Sequence, residues 1–74
     1  MEYKTKDLGE AGALLTKNVK LLRLESQGDF YWFVFLGNDI KKIADDYWSG
    51  DLLVSAKLYN DSLRSLKDRL FAQR

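Results

Sequence analysis

The chain has 74 residues, and its 12 basic and 11 acidic side chains give a formal net charge of +1. It has no cysteine, histidine or proline, but it contains two tryptophans, four tyrosines and four phenylalanines. This composition excludes disulfides and metal sites built from cysteine or histidine, and the charge balance argues against a strongly basic nucleic-acid module.

A chain of this length predicts one domain, residues 1–74. Its core is small, so without disulfides its stability must come from apolar packing, from oligomerisation or from both. The first residues lack the apolar run of a signal peptide. The longest apolar run, residues 30–36, is far shorter than the roughly 18–20 residues of a membrane span. We therefore expect a cytoplasmic protein that does not contact the membrane.

The first predicted helix begins after Asp7, which forms a capping box with Glu10, and ends near Lys17. Its apolar residues recur at helical spacing: Leu8, Ala11, Leu14 and Leu15. Gly9 and Gly12 each disfavour a helix by about 1 kcal/mol relative to alanine. Alternatively, the small face that they form with Ala13 lets another backbone approach closely.

A β-hairpin follows. Residues 19–25 predict a strand whose alternation slips at Leu21 and Leu22, which is typical of a bulge. Residues 26–29 supply a turn in which Gly28 can adopt positive φ. Residues 30–36 are all aromatic or aliphatic and predict the second strand.

Asn38 is the predicted cap of a second helix that ends at Gly50 and carries a complete apolar stripe: Ile40, Ile43, Ala44, Tyr47 and Trp48. Residues 51–54 form an extended link that is compatible with a short extra edge strand. Ser55 is the predicted cap of a third helix, whose stripe comprises Ala56, Tyr59, Leu63, Leu66 and Leu70.

The predicted fold class is α+β, with a helix, a β-hairpin and two further helices arranged in two layers. The residues expected at the centre of the core come from the hairpin and the last two helices: Phe30, Trp32, Ile43, Tyr47, Leu63 and Leu66.

The sequence offers little for catalysis. No histidine is present to activate a serine or threonine, and no nucleophile elbow or phosphate-binding glycine motif occurs. Asp45, Asp46 and Asp51 form the only carboxylate cluster, but their spacing matches no calcium loop and favours a solvated helix face over a metal site. We expect a protein that is not an enzyme and that uses no cofactor, metal or small-molecule substrate.

The second strand of the hairpin carries aromatic residues on both faces, and helices cover one face easily. If the face with Tyr31, Phe33 and Phe35 stays open, it forms a platform for a protein or for stacked bases. The alternative is a strand buried between helices or in a homodimer. The candidate protein-contact residues are Tyr31, Phe33, Phe35, Trp48 and Phe71.

The unpaired strand edges and the long third helix favour a homodimer or another protein partner. A nucleic-acid-binding accessory protein is the alternative, with the same aromatics stacking on bases and basic residues contacting phosphates. Those basic residues are Lys4, Lys6, Lys20 and Arg23. The leading hypothesis is a small, self-associating protein-interaction module.

Three segments carry a resemblance to a known family: residues 4–8 (KTKDL), residues 30–35 (FYWFVF) and residues 63–67 (LRSLK). They resemble a family of short, uncharacterised bacterial and phage domains with a KTKDL-like start and an LK-bearing C-terminal helix. The resemblance covers most of the chain and implies a cytoplasmic setting linked to mobile elements. It implies no activity and no site residues.

Overall fold

The computed structural model describes residues 1–73. Its six elements are β1 (Glu2–Thr5), α1 (Leu8–Thr16), β2 (Lys20–Gln27), β3 (Phe30–Leu36), α2 (Ile40–Ser49) and α3 (Ala56–Ala72). The α+β class and the order helix, hairpin, helix, helix are confirmed.

The sheet has three antiparallel strands in the order β1-β3-β2, so that the most apolar strand lies in the centre. β2 and β3 form the predicted hairpin, and Gly28 adopts φ 62° in its turn. The extra edge strand is β1, not residues 51–54, which form no strand. β1 fits this edge because Tyr3 and Thr5 point inwards while Glu2 and Lys4 point outwards.

The bulge predicted in β2 is present, because the register with β3 shifts between Leu21 and Arg23. After the shift, Leu24 lies opposite Phe33, while Arg23 lies opposite Val34. The bulge therefore brings Leu21 and Leu24 to the face of the sheet that carries Phe33 and Phe35, and the charged residues of β2 to the other.

All three helices pack against the face of the sheet that carries Phe33 and Phe35. The buried core comprises these two phenylalanines together with Ala11 and Leu14 of α1, Ile40 of α2 and Leu66 of α3. Leu66 is confirmed as a central core residue, and Ile43 packs against the cluster.

Phe30 and Trp32 were expected in this core, but they lie on the opposite face and are only partly buried. The expectation was wrong because the residues of β3 are apolar on both faces. Its own alternation therefore does not indicate which face meets the helices.

Two of the three predicted helix caps are confirmed. The carboxylate of Asp7 accepts a hydrogen bond from the backbone N–H of Glu10, and the hydroxyl of Ser55 accepts one from that of Leu58, each at 3.3 Å. For α2 the cap is Asp39, not Asn38. Asp39 has left-handed backbone angles, with φ 59°, and its side chain makes no capping hydrogen bond.

Close approach does occur at Gly9 and Gly12, but the nearest atoms belong to side chains of α2 and α3 and not to another backbone. A β-carbon on Gly12 would lie 2.7 Å from Cδ2 of Leu63, and one on Gly9 would overlap the hydroxyl group of Tyr47. The hydroxyl of Tyr59 also donates a 3.1 Å hydrogen bond to the carbonyl oxygen of Gly9. These glycines allow α2 and α3 to pack closely against α1.

Candidate interaction surface

The face of the sheet that points away from the helices is not covered by any element within residues 1–73. We call it the open sheet face. Because side chains alternate along each strand, with the bulge shifting β2 by one residue, residues from all three strands lie on it: Glu2, Lys4, Lys20, Arg23, Glu25, Gln27, Phe30, Trp32, Val34 and Leu36.

Ion pairs cross the middle of the open sheet face. Nζ of Lys4 lies 2.9 Å from Glu25, and the guanidinium of Arg23 lies 2.7 Å from Glu25 and 3.2 Å from Glu2. Hydrogen bonds from Lys4 and then Arg23 lower the pKa of Glu25. Val34 lies between Lys4 and Arg23 in the register and is 0% exposed, so these side chains shield it from water.

An aromatic pair occupies the hairpin end of the open sheet face. The rings of Phe30 and Trp32 meet edge to face, with centroids 5.4 Å apart. The ammonium group of Lys6 lies 4.9 Å from the centroid of Phe30, in a cation–π contact. Leu36 is exposed at the other end of β3. This face therefore combines a part-exposed aromatic surface with a charge-paired centre.

The structure contradicts part of the predicted contact set. Phe33 and Phe35 are buried in the core and do not reach a partner. Tyr31 shares their face and donates a hydrogen bond of 3.3 Å to the backbone oxygen of Gln73, which links the hairpin to the end of α3. The face of β3 that carries these three candidates is therefore the one that packs against the helices.

Trp48 and Phe71 are exposed, at 63% and 74%. They lie on α2 and α3, in the helical layer, so the structure does not place them on the open sheet face. The contact candidates that the sequence analysis missed are Phe30, Trp32 and Leu36. The signal that identifies them is the charge of Arg23 and Glu25, since charged cross-strand neighbours must share the solvent-facing side.

The predicted basic residues lie at or near the sheet, but their charges are largely engaged. Lys4 and Arg23 form the ion pairs described above, and Lys6 lies over Phe30. Lys20 lies opposite Leu36, at the end of the sheet away from Lys6. These four residues therefore form no single basic patch beside the aromatic pair.

The acidic residues of α2 form a solvated helix face. Lys41 pairs with Asp45, and Lys42 with Asp46, each one helical turn apart. Asp51 accepts a hydrogen bond from the hydroxyl of Ser49. Across residues 1–73, no three carboxylates come together in a way that would hold a metal ion.

A buried carboxylate lies beneath β1. Glu10 is 4% exposed and accepts hydrogen bonds from the hydroxyl groups of Tyr3 and Thr5, the latter at 2.6 Å. Burial, and then the hydrogen bond to Glu10, raise the pKa of Tyr3 to about 12. This contact joins β1 to α1, and the capping-box role expected for the Glu10 side chain is not observed.

Comparison with known proteins identifies no relative. No protein-family model matches the chain, and neither a curated protein nor a solved structure matches it. The resemblance to short bacterial and phage domains stays a prediction. Among the helices of residues 1–73, none has both the length and the apolar character needed to cross a bilayer.

Proposed function

We propose that the protein is a small non-enzymatic interaction module that binds other protein chains through its sheet, beginning with a second copy of itself. The observation that carries the proposal is the one-sided packing of the molecule. Three helices cover the Phe33 face, whereas no element of the described residues covers the face with Phe30 and Trp32. Aromatic side chains that are partly exposed and held rigidly in a sheet are typical anchors of protein interfaces.

The charge pattern favours a protein partner over a nucleic acid. Each cation at the centre of the open sheet face has a carboxylate partner within 3.2 Å. Binding a phosphate backbone would require Lys4 and Arg23 to leave these partners, and it would bring phosphates close to Glu2 and Glu25. A protein surface with paired charges of both signs meets no such repulsion.

Sedimentation equilibrium from about 10 µM to about 1 mM tests the proposal. We expect the average mass to rise from the monomer towards the dimer. Trp32→Glu, on the open sheet face, should weaken association. Leu53→Glu is the matched control, because it adds the same charge at a site that is 84% exposed between α2 and α3. A monomer at all concentrations would contradict self-association, and an equal effect of both variants would contradict the role of the sheet.

Nucleic-acid binding is the second candidate, supported by the closeness of Lys6 to the Phe30–Trp32 pair. Gel shifts with single- and double-stranded DNA and RNA test it, since such binding weakens steeply between about 50 and 200 mM salt. Binding that is lost in Lys6→Gln and Trp32→Ala would favour this candidate. No shift at low salt would eliminate it. The cytoplasmic location expected from the sequence is part of the proposal in either case.

A further inference from the structure

The outer edge of β2 is the longest strand edge without a partner within residues 1–73. β2 has eight residues and pairs with β3 on one side only, whereas β1, at the other edge, has four. In an antiparallel sheet, every second residue of an edge strand directs its N–H and C=O groups outwards. β2 therefore presents hydrogen-bonding groups that another strand can use.

Geometry limits how β2 can pair with β2 of a second copy. In an antiparallel pair, outward-directed residues must lie opposite outward-directed residues. When both strands have the same sequence, one residue must therefore lie opposite its own copy, with the two-fold axis midway between the two. The regular part of β2, beyond the bulge, offers Arg23, Leu24, Glu25 or Ser26 as that residue.

These four registers differ in which charged side chains they place opposite each other. An axis at Arg23 places two arginines opposite each other, and an axis at Glu25 does the same with two glutamates, so both are unfavourable. An axis at Ser26 forms no opposite-charge pair. An axis at Leu24 places Arg23 of each copy directly opposite Glu25 of the other, on the open sheet face.

We propose that a second copy of the chain pairs its β2 antiparallel to this β2 about a two-fold axis at Leu24. The two sheets then form one six-stranded sheet with both helical layers on the same side. This inference rests on the proposed self-association and specifies its contact. Charges alternate around the axis, because each Arg23 already lies 2.7 Å from Glu25 of its own chain and gains a second glutamate across the interface.

The pairing uses the edge of β2 and leaves the aromatic residues of the open sheet face available to a further protein chain. Because the axis runs perpendicular to the sheet, the Phe30–Trp32 pairs of both copies lie on the same side. Trp32 is the cross-strand neighbour of Glu25. A carboxylate at position 32 would also lie diagonal to Arg23 of the same chain. It would compete with the partner's Glu25 for that guanidinium, so Trp32→Glu should weaken the dimer.

Charge reversal and re-pairing test this arrangement. Arg23→Glu alone, and Glu25→Arg alone, each turn two attractive contacts across the axis into repulsive ones. We expect the dimer dissociation constant of each to rise about tenfold or more. An equimolar mixture of R23E and E25R chains restores opposite charges in the heterodimer, and so does the double variant R23E/E25R in the homodimer. Both should associate as tightly as the wild type.

Control measurements distinguish failure of the β2 pairing from failure of the proposed self-association. Arg23 is exposed and Glu25 is half-buried, and both lie on the surface of the sheet rather than in the core, so circular dichroism should show the same fold in every variant. A wild-type chain that stays monomeric would overturn both this inference and the proposed function. A wild-type dimer that the single reversals leave intact, while Trp32→Glu disrupts it, would indicate face-to-face association and overturn the β2 pairing alone.

Two further outcomes also count against the pairing. If the single variants dissociate but their mixture does not associate, Arg23 and Glu25 do not face each other across the axis. If Lys4→Glu dissociates the dimer and the β2 variants do not, β1 is the edge that pairs. Cysteine trapping provides an independent readout, because the chain has no cysteine of its own. A mixture of R23C and E25C chains should form the mixed disulfide in preference to either homodimer.

Discussion

The hydroxyl group of Thr5 donates a 2.6 Å hydrogen bond to the carboxylate of Glu10, which joins the end of β1 to the first turns of α1. Glu10 is nearly inaccessible to water, and the hydroxyl of Tyr3 is its second donor. A buried carboxylate is tolerated only where hydrogen bonds replace its lost hydration. Here both donors come from β1, so this contact helps to hold the edge strand in place.

Replacing Glu10 should therefore destabilise the fold. Glu10→Ala leaves two hydroxyl groups without their acceptor, and we expect it to lower the free energy of unfolding by about 3 kcal/mol. Glu10→Gln keeps one acceptor oxygen and should lower it less. Urea denaturation followed by circular dichroism measures both. Equal losses for the two variants would show that the hydrogen bonds are not the source of the stability.

Stability should also fall at alkaline pH. Burial is the largest cause that raises the pKa of Tyr3 and of Tyr47 to about 12, from 10.0 in the unfolded chain, and hydrogen bonds to Glu10 and Tyr59 respectively add to it. The folded state holds these protons more tightly, so their contribution is complete below about pH 10 and is lost between about pH 10 and 12.

Melting temperatures across this pH range, with an absorbance titration of tyrosinate, test that prediction. Tyr3→Phe and Tyr47→Phe should each remove one late-titrating group and make the alkaline loss of stability smaller. A titration in which every tyrosine ionises at the pH expected of a free tyrosine would contradict the prediction.

Gly9→Ala should destabilise the protein although alanine is the better helix former. The added β-carbon would overlap the hydroxyl group of Tyr47, and such overpacking costs about 1–3 kcal/mol, against a gain of about 1 kcal/mol in helix propensity. Tyr47→Phe removes that oxygen, so Gly9→Ala should be less harmful in the Tyr47→Phe background. A double-mutant cycle measures the coupling. Additive effects would indicate that the two residues do not collide.

The two faces of β3 should respond differently to the same truncation. Phe35→Leu creates a cavity in the core and should lower the free energy of unfolding by about 1–2 kcal/mol. Phe30→Leu, on the open sheet face, removes the same atoms from a part-exposed site and should lower it much less. Urea midpoints by circular dichroism compare them. The opposite order would mean that the helices cover the Phe30 face.

The local signals in the sequence predicted most of the elements. Asp7 and Ser55 mark helix starts through their own side chains, and the slip at Leu21 and Leu22 indicated the bulge in β2. Each signal depends on a residue and its near neighbours in the chain. Gly9 and Gly12, which weaken a helix in isolation, were interpretable only through the packing that they permit.

The formation of β1 and the orientation of β3 depend on tertiary contacts, which the local sequence does not show. β1 is too short and polar to be recognised as a strand, and it becomes one because the second edge of β3 is available to it. For the same reason the sequence analysis chose Phe33 and Phe35, which are buried in the core, as contact candidates. The residues of β3 do not distinguish its two faces, and the distinction arises only when Arg23 and Glu25 are aligned with Val34 and Trp32.

The position of β1 has a consequence for misfolding. β3 is a run of seven aromatic and aliphatic residues without charge or proline, the type of segment that forms amyloid-like stacks when its backbone is exposed. β2 protects one edge of this segment through a local hairpin, whereas β1 must arrive from a distant part of the chain to protect the other. Until the four residues of β1 pair with β3, a nascent or partly unfolded molecule exposes one backbone edge of its most aggregation-prone strand. Docking of β1 therefore protects β3 from intermolecular pairing.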